Sequence, residues 1–176
     1  MKRHELEHVI RAATAVANVR EIVIVGSQAI LGALPDAPEE VLRSQEADCF
    51  PLSDPAKADL IDGAIGELSP FHLQFGYYAH GVAPGTAILP DGWRERLVPI
   101  RNENTAGGTG WCLSIGDLVA SKLAAGREKD IEFVSALLGH KAVSADELTG
   151  CVERLPREYR DVSLARLDRL KDQRDR

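Results

Sequence analysis

The chain has 176 residues, 44% hydrophobic and 27% charged, a globular composition that excludes a disordered or collagen-like polymer and allows one domain with a real core. A formal net charge of −6 argues against a general grip on nucleic acid, because phosphate binding relies on excess Lys and Arg. Cys49, Cys112 and Cys151 are widely spaced, odd in number and without a CxxC, so neither a disulfide framework nor a zinc ribbon is indicated.

The opening MKRHELEHVI is charged where a signal peptide needs its apolar region, and no apolar run approaches the roughly 20 residues of a membrane span. A cytoplasmic setting without a membrane partner is expected. Residues 4–18 predict an amphipathic helix with Leu6, Val9, Ile10, Ala13 and Ala17 on one face. EIVIV (21–25) is β-branched and unbroken, as a strand buried on both faces is. Gly26-Ser27 then turns into QAILGAL, a short helix ended by Pro35, and DAPEEVL is a loop or helical turn. EADCF (46–50) reads as a second strand, stopped by Pro51. Ser53 or Asp54 as N-cap and Pro55 at the first helical position open a further helix. From FHLQFGYYAHGV to GWCLS, aromatics and turn residues predict three or four strands or strand pairs. From Ser114 the chain is helical: 114–126, 129–138, 144–154 and a charged helix from about 157. The expected class is α/β (α+β), a mixed sheet flanked by helices in residues 1–113, with a C-terminal helical segment, 114–176, packed on it.

HELEH at 4–8 matches the H-E-x-x-H zinc pattern, in which two histidines one turn apart hold the metal. Here His4 and His8 lie opposite the apolar face of the first helix and are expected to point to solvent. The motif stands where helices fray, and no third ligand is identifiable, so a protease is rejected.

A different group carries chemistry. Alternation places Glu46 and Asp48 on one side of their strand, and two adjacent carboxylates repel unless a cation lies between them. Mg²⁺ or Mn²⁺ with substrate phosphates fits such a pair. Gly26 allows close backbone approach to a phosphate, and the following amides with the Ser27 hydroxyl offer donors. Together these form a site for a metal–nucleotide complex.

VGSQAIL…RSQEADCF resembles the opening signature of the polymerase-β-type nucleotidyltransferases, in which a Gly-Gly or Gly-Ser helix start precedes an acid–x–acid metal pair. With Arg43 shortly before the pair, the form is similar to the bacterial minimal nucleotidyltransferases and the AbiEii-type toxin proteins. LSIGDLVASKLAAGREKDIEFVSALL (113–138) resembles their later helical motif, a Lys followed by an Arg and a Lys-Asp pair. The resemblance covers about residues 20–140. It implies transfer of a nucleoside monophosphate from an NTP to a hydroxyl acceptor, which is tRNA, a protein or a small molecule. Glu46 and Asp48 would hold metal, Gly26 and Ser27 the phosphates, Lys122 would neutralise developing charge, and Arg43, Arg127 and Asp130 would support them. A toxin–antitoxin role is a further implication.

The second block also has a reading of its own. Lys122 follows Ile115, Leu118 and Val119 on an apolar stripe, and Asp130 precedes Phe133, Val134 and Leu137 at the same spacing. Buried charges need partners. Either Lys122 snorkels and Asp130 pairs with Arg127, or Lys122 reaches phosphates and Asp130 orients Lys122 or Arg127. Gly126 is placed to end or bend the helix between them.

The chain departs from the pattern twice. Glu46 stands where Asp is usual, and the candidate strand FHLQFGYYAHGV has no third carboxylate, leaving His72 or His80 as a base. The alternative to an enzyme is therefore a catalytically degenerate domain that binds a nucleotide or a protein partner. Val162, Leu164, Leu167 and Leu170 on the last helix would serve its own domain, a homodimer or such a partner.

Overall fold

The computed structural model describes residues 1–140 and 142–174. It is a mixed α+β protein whose five strands are β1 (Glu21–Ile24), β2 (Glu46–Pro51), β3 (Tyr78–Gly81), β4 (Val98–Ile100) and β5 (Thr109–Cys112). They form one sheet in the order β3-β2-β1-β5-β4. The unbroken apolar run of β1 takes the central place, antiparallel to β2 and parallel to β5. At the edges β3 is parallel to β2, and β4 is antiparallel to β5.

Two compact units divide the chain, one made of 1–86 with 97–114 and the other of 87–96 with 115 onward. The first holds the sheet. Its leading helix α1 (Arg3–Ala17) buries Leu6, Val9, Ile10, Ala13 and Ala17 completely or nearly so, and ends at Asn18 in the left-handed conformation. Ile10 packs on Gly110 of β5 and beside Ile24 of β1, so closely that no side chain fits at Gly110. Ile24 is paired with Cys49 in the sheet, which puts Cys49 and Ala47 on the α1 side. Their neighbours Glu46 and Asp48 therefore face away from α1. After β1 a 3-10 turn, Ser27–Ala29, leads into the single turn of α2 (Ile30–Ala33). Arg3 donates a hydrogen bond to the Leu31 carbonyl.

Pro55 opens a 3-10 turn that continues as α3 (Ala58–Ile65), which packs on β3. The next segment corrects the strand expected over FHLQF. It is the helix α4 (Pro70–Phe75). Ser69 caps it through the His72 amide at 3.2 Å, Pro70 sits at its first position, and Gly76 closes it with φ of 77°. The strand begins only at Tyr78, so the stretch from Phe71 to Cys112 contributes β3, β4 and β5.

The second unit contains α5 (Ile115–Ala125), α6 (Glu128–Gly139), α7 (Ala145–Val152) and α8 (Arg157–Arg174). Residues 87–96 join it through two fastenings. Arg96 makes a two-pronged pair with the buried Asp117, Nε to Oδ2 at 2.9 Å and Nη2 to Oδ1 at 2.8 Å. The Asp91 amide donates to the Arg154 carbonyl at 2.8 Å. Gly126, at φ of 65°, ends α5, and Arg166 from α8 caps the carbonyls of Leu123 and Ala124 at 2.5 and 3.1 Å. Leu167 and Leu170 are buried where α8 packs on α5 and α7 within this unit, while Val162 is 42% exposed. No helix among the described residues is long and apolar enough to cross a membrane.

Candidate functional site

The turn after β1 is built around one close contact. The Val25 amide donates to the Asp48 carbonyl at 3.0 Å, drawing the end of β1 onto β2. Gly26 follows with φ of −80°, a value any residue adopts. Glycine is required there for another reason: a Cβ on residue 26 would overlap Oδ2 and Cγ of Asp48. The Asp48 carboxylate therefore lies directly over the Gly26 backbone, with the half-exposed Ser27 beside it. Ser44 fixes the near end of β2, its hydroxyl accepting from the Glu46 amide at 3.1 Å. The Ser44 carbonyl accepts from the buried Gln28 side chain at 3.0 Å, which ties the turn to the strand.

The parallel pairing of β2 and β3 supplies the third group. Asp48 is opposite His80, and Glu46 is opposite Tyr78. His80 Nδ1 lies 2.7 Å from Glu46 Oε1 and 3.1 Å from Asp48 Oδ1. The three side chains are 33%, 30% and 47% exposed in the order Glu46, Asp48, His80, so solvent and small ligands reach them. One ligand atom from each lies within 4.8 Å of the others, the one such metal-ligating group among the described residues. Burial and the neighbouring Asp48 charge raise the Glu46 carboxyl above its usual range, with His80 partly offsetting them. For His80, burial pulls the imidazole down, but the hydrogen bond to Asp48 and the Glu46 charge outweigh it and hold the ring above its usual value.

The donor set fits a divalent ion. Octahedral ligands at about 2.1 Å from a metal stand about 3.0 Å apart when adjacent. The 2.7 and 3.1 Å separations from His80 bracket that spacing. Gly26 leaves the Asp48 carboxylate room that a side chain would fill.

The other residues expected at a site have definite places. His72 is on α4, where its Nδ1 accepts from the Leu68 amide at 3.0 Å and its ring lies 4.6 Å from that of Tyr78. Of the two histidines, His80 is the one that meets the carboxylates. Arg43 is exposed and makes no ion pair with Glu46 or Asp48. Lys122, Arg127 and Asp130 meet one another in the second unit. Lys122 Nζ donates to Asp130 Oδ1 at 2.8 Å, and Arg127 Nε donates to Asp130 Oδ2 at 2.6 Å. Lys122 does not snorkel. It is 7% exposed, with its ammonium 4.5 Å from the centre of the Phe133 ring. Burial lowers its pKa despite Asp130.

The HELEH motif gathers no metal site. His4 is exposed, and Glu5 turns back to accept from the Lys2 amide at 2.5 Å. His8 corrects the expectation of a solvated face: it packs among Phe71, Phe75 and Tyr77, with Nδ1 2.9 Å from the Tyr77 hydroxyl. Helical α4 brings Phe71 and Phe75 onto His8 of α1, a placement that the strand assignment concealed. Sequence reading also did not single out Ser44 or Gln28, whose roles depend on backbone contacts between distant segments.

A family model described as "Nucleotidyltransferase of unknown function (DUF6036)" matches residues 4–170. No curated protein and no solved structure matches the chain.

Proposed function

The chain belongs to this nucleotidyltransferase family, and we propose that it moves a nucleoside monophosphate from an NTP to a hydroxyl acceptor with the help of Mg²⁺ or Mn²⁺. The observation that carries this reading is the contact between the Asp48 carboxylate and the Gly26 backbone, with Glu46 on the same face of β2. A strand end, a glycine turn and a carboxylate pair then meet in one accessible place.

In this reading Glu46 and Asp48 hold the ion, and the Gly26-Ser27 turn lies against the triphosphate. A divalent ion held by Glu46 and Asp48 would supply neutralisation of phosphate charge and a lowered pKa for the acceptor hydroxyl. The acceptor oxygen forms a bond to the α-phosphorus, the bond between α-phosphorus and bridging oxygen breaks, and pyrophosphate leaves with that oxygen. The acceptor proton passes to solvent. The protein's own contribution is position: β2 fixes both carboxylates, and the Gln28–Ser44 hydrogen bond fixes the turn against them. The polymerase-β-type and AbiEii-like resemblance extends the proposal to tRNA, protein or small-molecule acceptors and to a toxin–antitoxin role.

Incubation with NTPs labelled at the α-phosphate, Mg²⁺ or Mn²⁺, and candidate acceptors tests the reaction. Label is expected in an acceptor with the wild type and not with Asp48→Ala. A second reading, binding without turnover, is favoured by His80 standing where a third carboxylate was sought. It predicts nucleotide retention with no label transferred.

A further inference from the structure

We infer that His80 is a direct ligand of the bound ion and makes the site prefer a first-row transition ion, with Mn²⁺ as its phosphate-compatible member, over Mg²⁺. This rests on the reading that Glu46 and Asp48 hold a divalent ion. Three observations support the step from two ligands to three. The parallel register fixes Asp48 and His80 as neighbours on one face of adjacent strands, so the imidazole is delivered by the backbone and not by a mobile loop. It is Nδ1, the ring nitrogen nearer the strand, that lies between the carboxylates, 2.7 and 3.1 Å from their oxygens. Finally, the three donors are mutually close enough to surround one ion, with the imidazole nearly half exposed.

The chemical consequence follows from the nitrogen. Mg²⁺ is a hard ion that prefers oxygen and keeps its waters. Imidazole suits the softer transition ions, while carboxylates and phosphates suit Mn²⁺ as well as Mg²⁺. A set of two carboxylates and one imidazole thus lowers the standing of Mg²⁺ while leaving Mn²⁺ fully served. The remaining positions stay open for water or phosphate oxygens.

Mn²⁺ itself is the probe. Its binding to wild type, His80→Ala and His80→Asp is followed by electron paramagnetic resonance, with Mg²⁺ as competitor, and pulsed measurement detects coupling to a coordinated nitrogen. Wild type is expected to show the nitrogen coupling, and His80→Ala to lack it and to bind Mn²⁺ about tenfold more weakly or worse, the low end of what even outer partners contribute. His80→Asp, with three carboxylates, is expected to let Mg²⁺ compete about tenfold better against Mn²⁺ than it does in wild type. Circular dichroism of each variant verifies folding, and the nitrogen coupling in wild type decides the matter even if a variant fails to fold. Mn²⁺ bound without nitrogen coupling, with unchanged Mg²⁺ competition across the variants, overturns the role of His80 and leaves the nucleotidyl-transfer reading intact. No Mn²⁺ bound at all, with or without NTP, overturns both.

Discussion

Asp130→Asn is the most informative perturbation of the helical unit, because Asp130 is wholly buried between two cations. Lys122 lies 2.8 Å away, and its side chain is 9% exposed. At that distance and an effective dielectric constant of about 20, the attraction is about 6 kcal/mol, most of which offsets the cost of burying the ammonium. The substitution leaves that ammonium with an amide oxygen and the Phe133 ring. Stranding one partner of a buried pair costs about 3–5 kcal/mol, which lowers the unfolding midpoint by about 6–20 °C for a chain of this size. Lys122→Met leaves Asp130 paired with Arg127 and is expected to cost less, about 1–3 kcal/mol. The double variant should then be more stable than the two losses added together, since the residues are in contact. Urea denaturation of the four proteins measures the cycle. In acid the difference must shrink. Burial pushes the Asp130 carboxyl up, but hydrogen bonds from Arg127 and Lys122 outweigh it and hold its folded value low. A depressed folded value gives stability that is present above the unfolded value and lost as pH falls through the folded one, hence below about pH 4. A loss for Asp130→Asn within about 0.5 kcal/mol, as for an exposed side chain, would refute the reasoning.

Gly26→Ala forces a methyl group into the Asp48 carboxylate, and chemical denaturation should show about 1–3 kcal/mol of overpacking. Adding Asp48→Ala should recover most of that loss, and no recovery would show that the strain lies elsewhere. His8 sits among aromatic rings, where burial, with Arg11 nearby, lowers its pKa. Its folded value is depressed, so the unfolded chain protonates first and stability falls as pH drops below about 6.5. His8→Phe should remove that contribution, and denaturation at pH 7.5 and 5.5 compares the slopes. Leu68 and Leu73 are each 75% exposed, so Leu73→Ser is expected to change stability by less than about 0.5 kcal/mol in the same assay.

Local patterns in the chain predicted what local physics decides. The β-branched run of β1 became the central strand, and alternation in EADCF placed Glu46 and Asp48 on one face with Ala47 and Cys49 buried behind them. The apolar stripe of α1 was equally legible, as were the four helices after Ser114, each to within a few residues. The FHLQF segment misled because its aromatics suit a strand, although Ser69-Pro70 and Gly76 carry the start and stop signals of a helix. His80 was legible as a candidate, but its choice over His72 needed the register of β3 on β2, a nonlocal pairing with no local signature. Lys122 and Asp130 were recognised as charges on apolar stripes, yet their mutual contact required the turn at Gly126. The membership of 87–96 in the helical unit depends on Arg96 meeting Asp117, again a long-range pairing.

Thermal unfolding with each NTP, with and without Mg²⁺ or Mn²⁺, in wild type and Asp48→Ala, tests the central claim most directly. Ligand at about a hundredfold its Kd stabilises by about 2.7 kcal/mol, which raises the midpoint by about 5–10 °C. The account predicts a metal-dependent rise of that size in wild type and none in Asp48→Ala. The same midpoint with every nucleotide and metal, or an equal rise in both proteins, would contradict it.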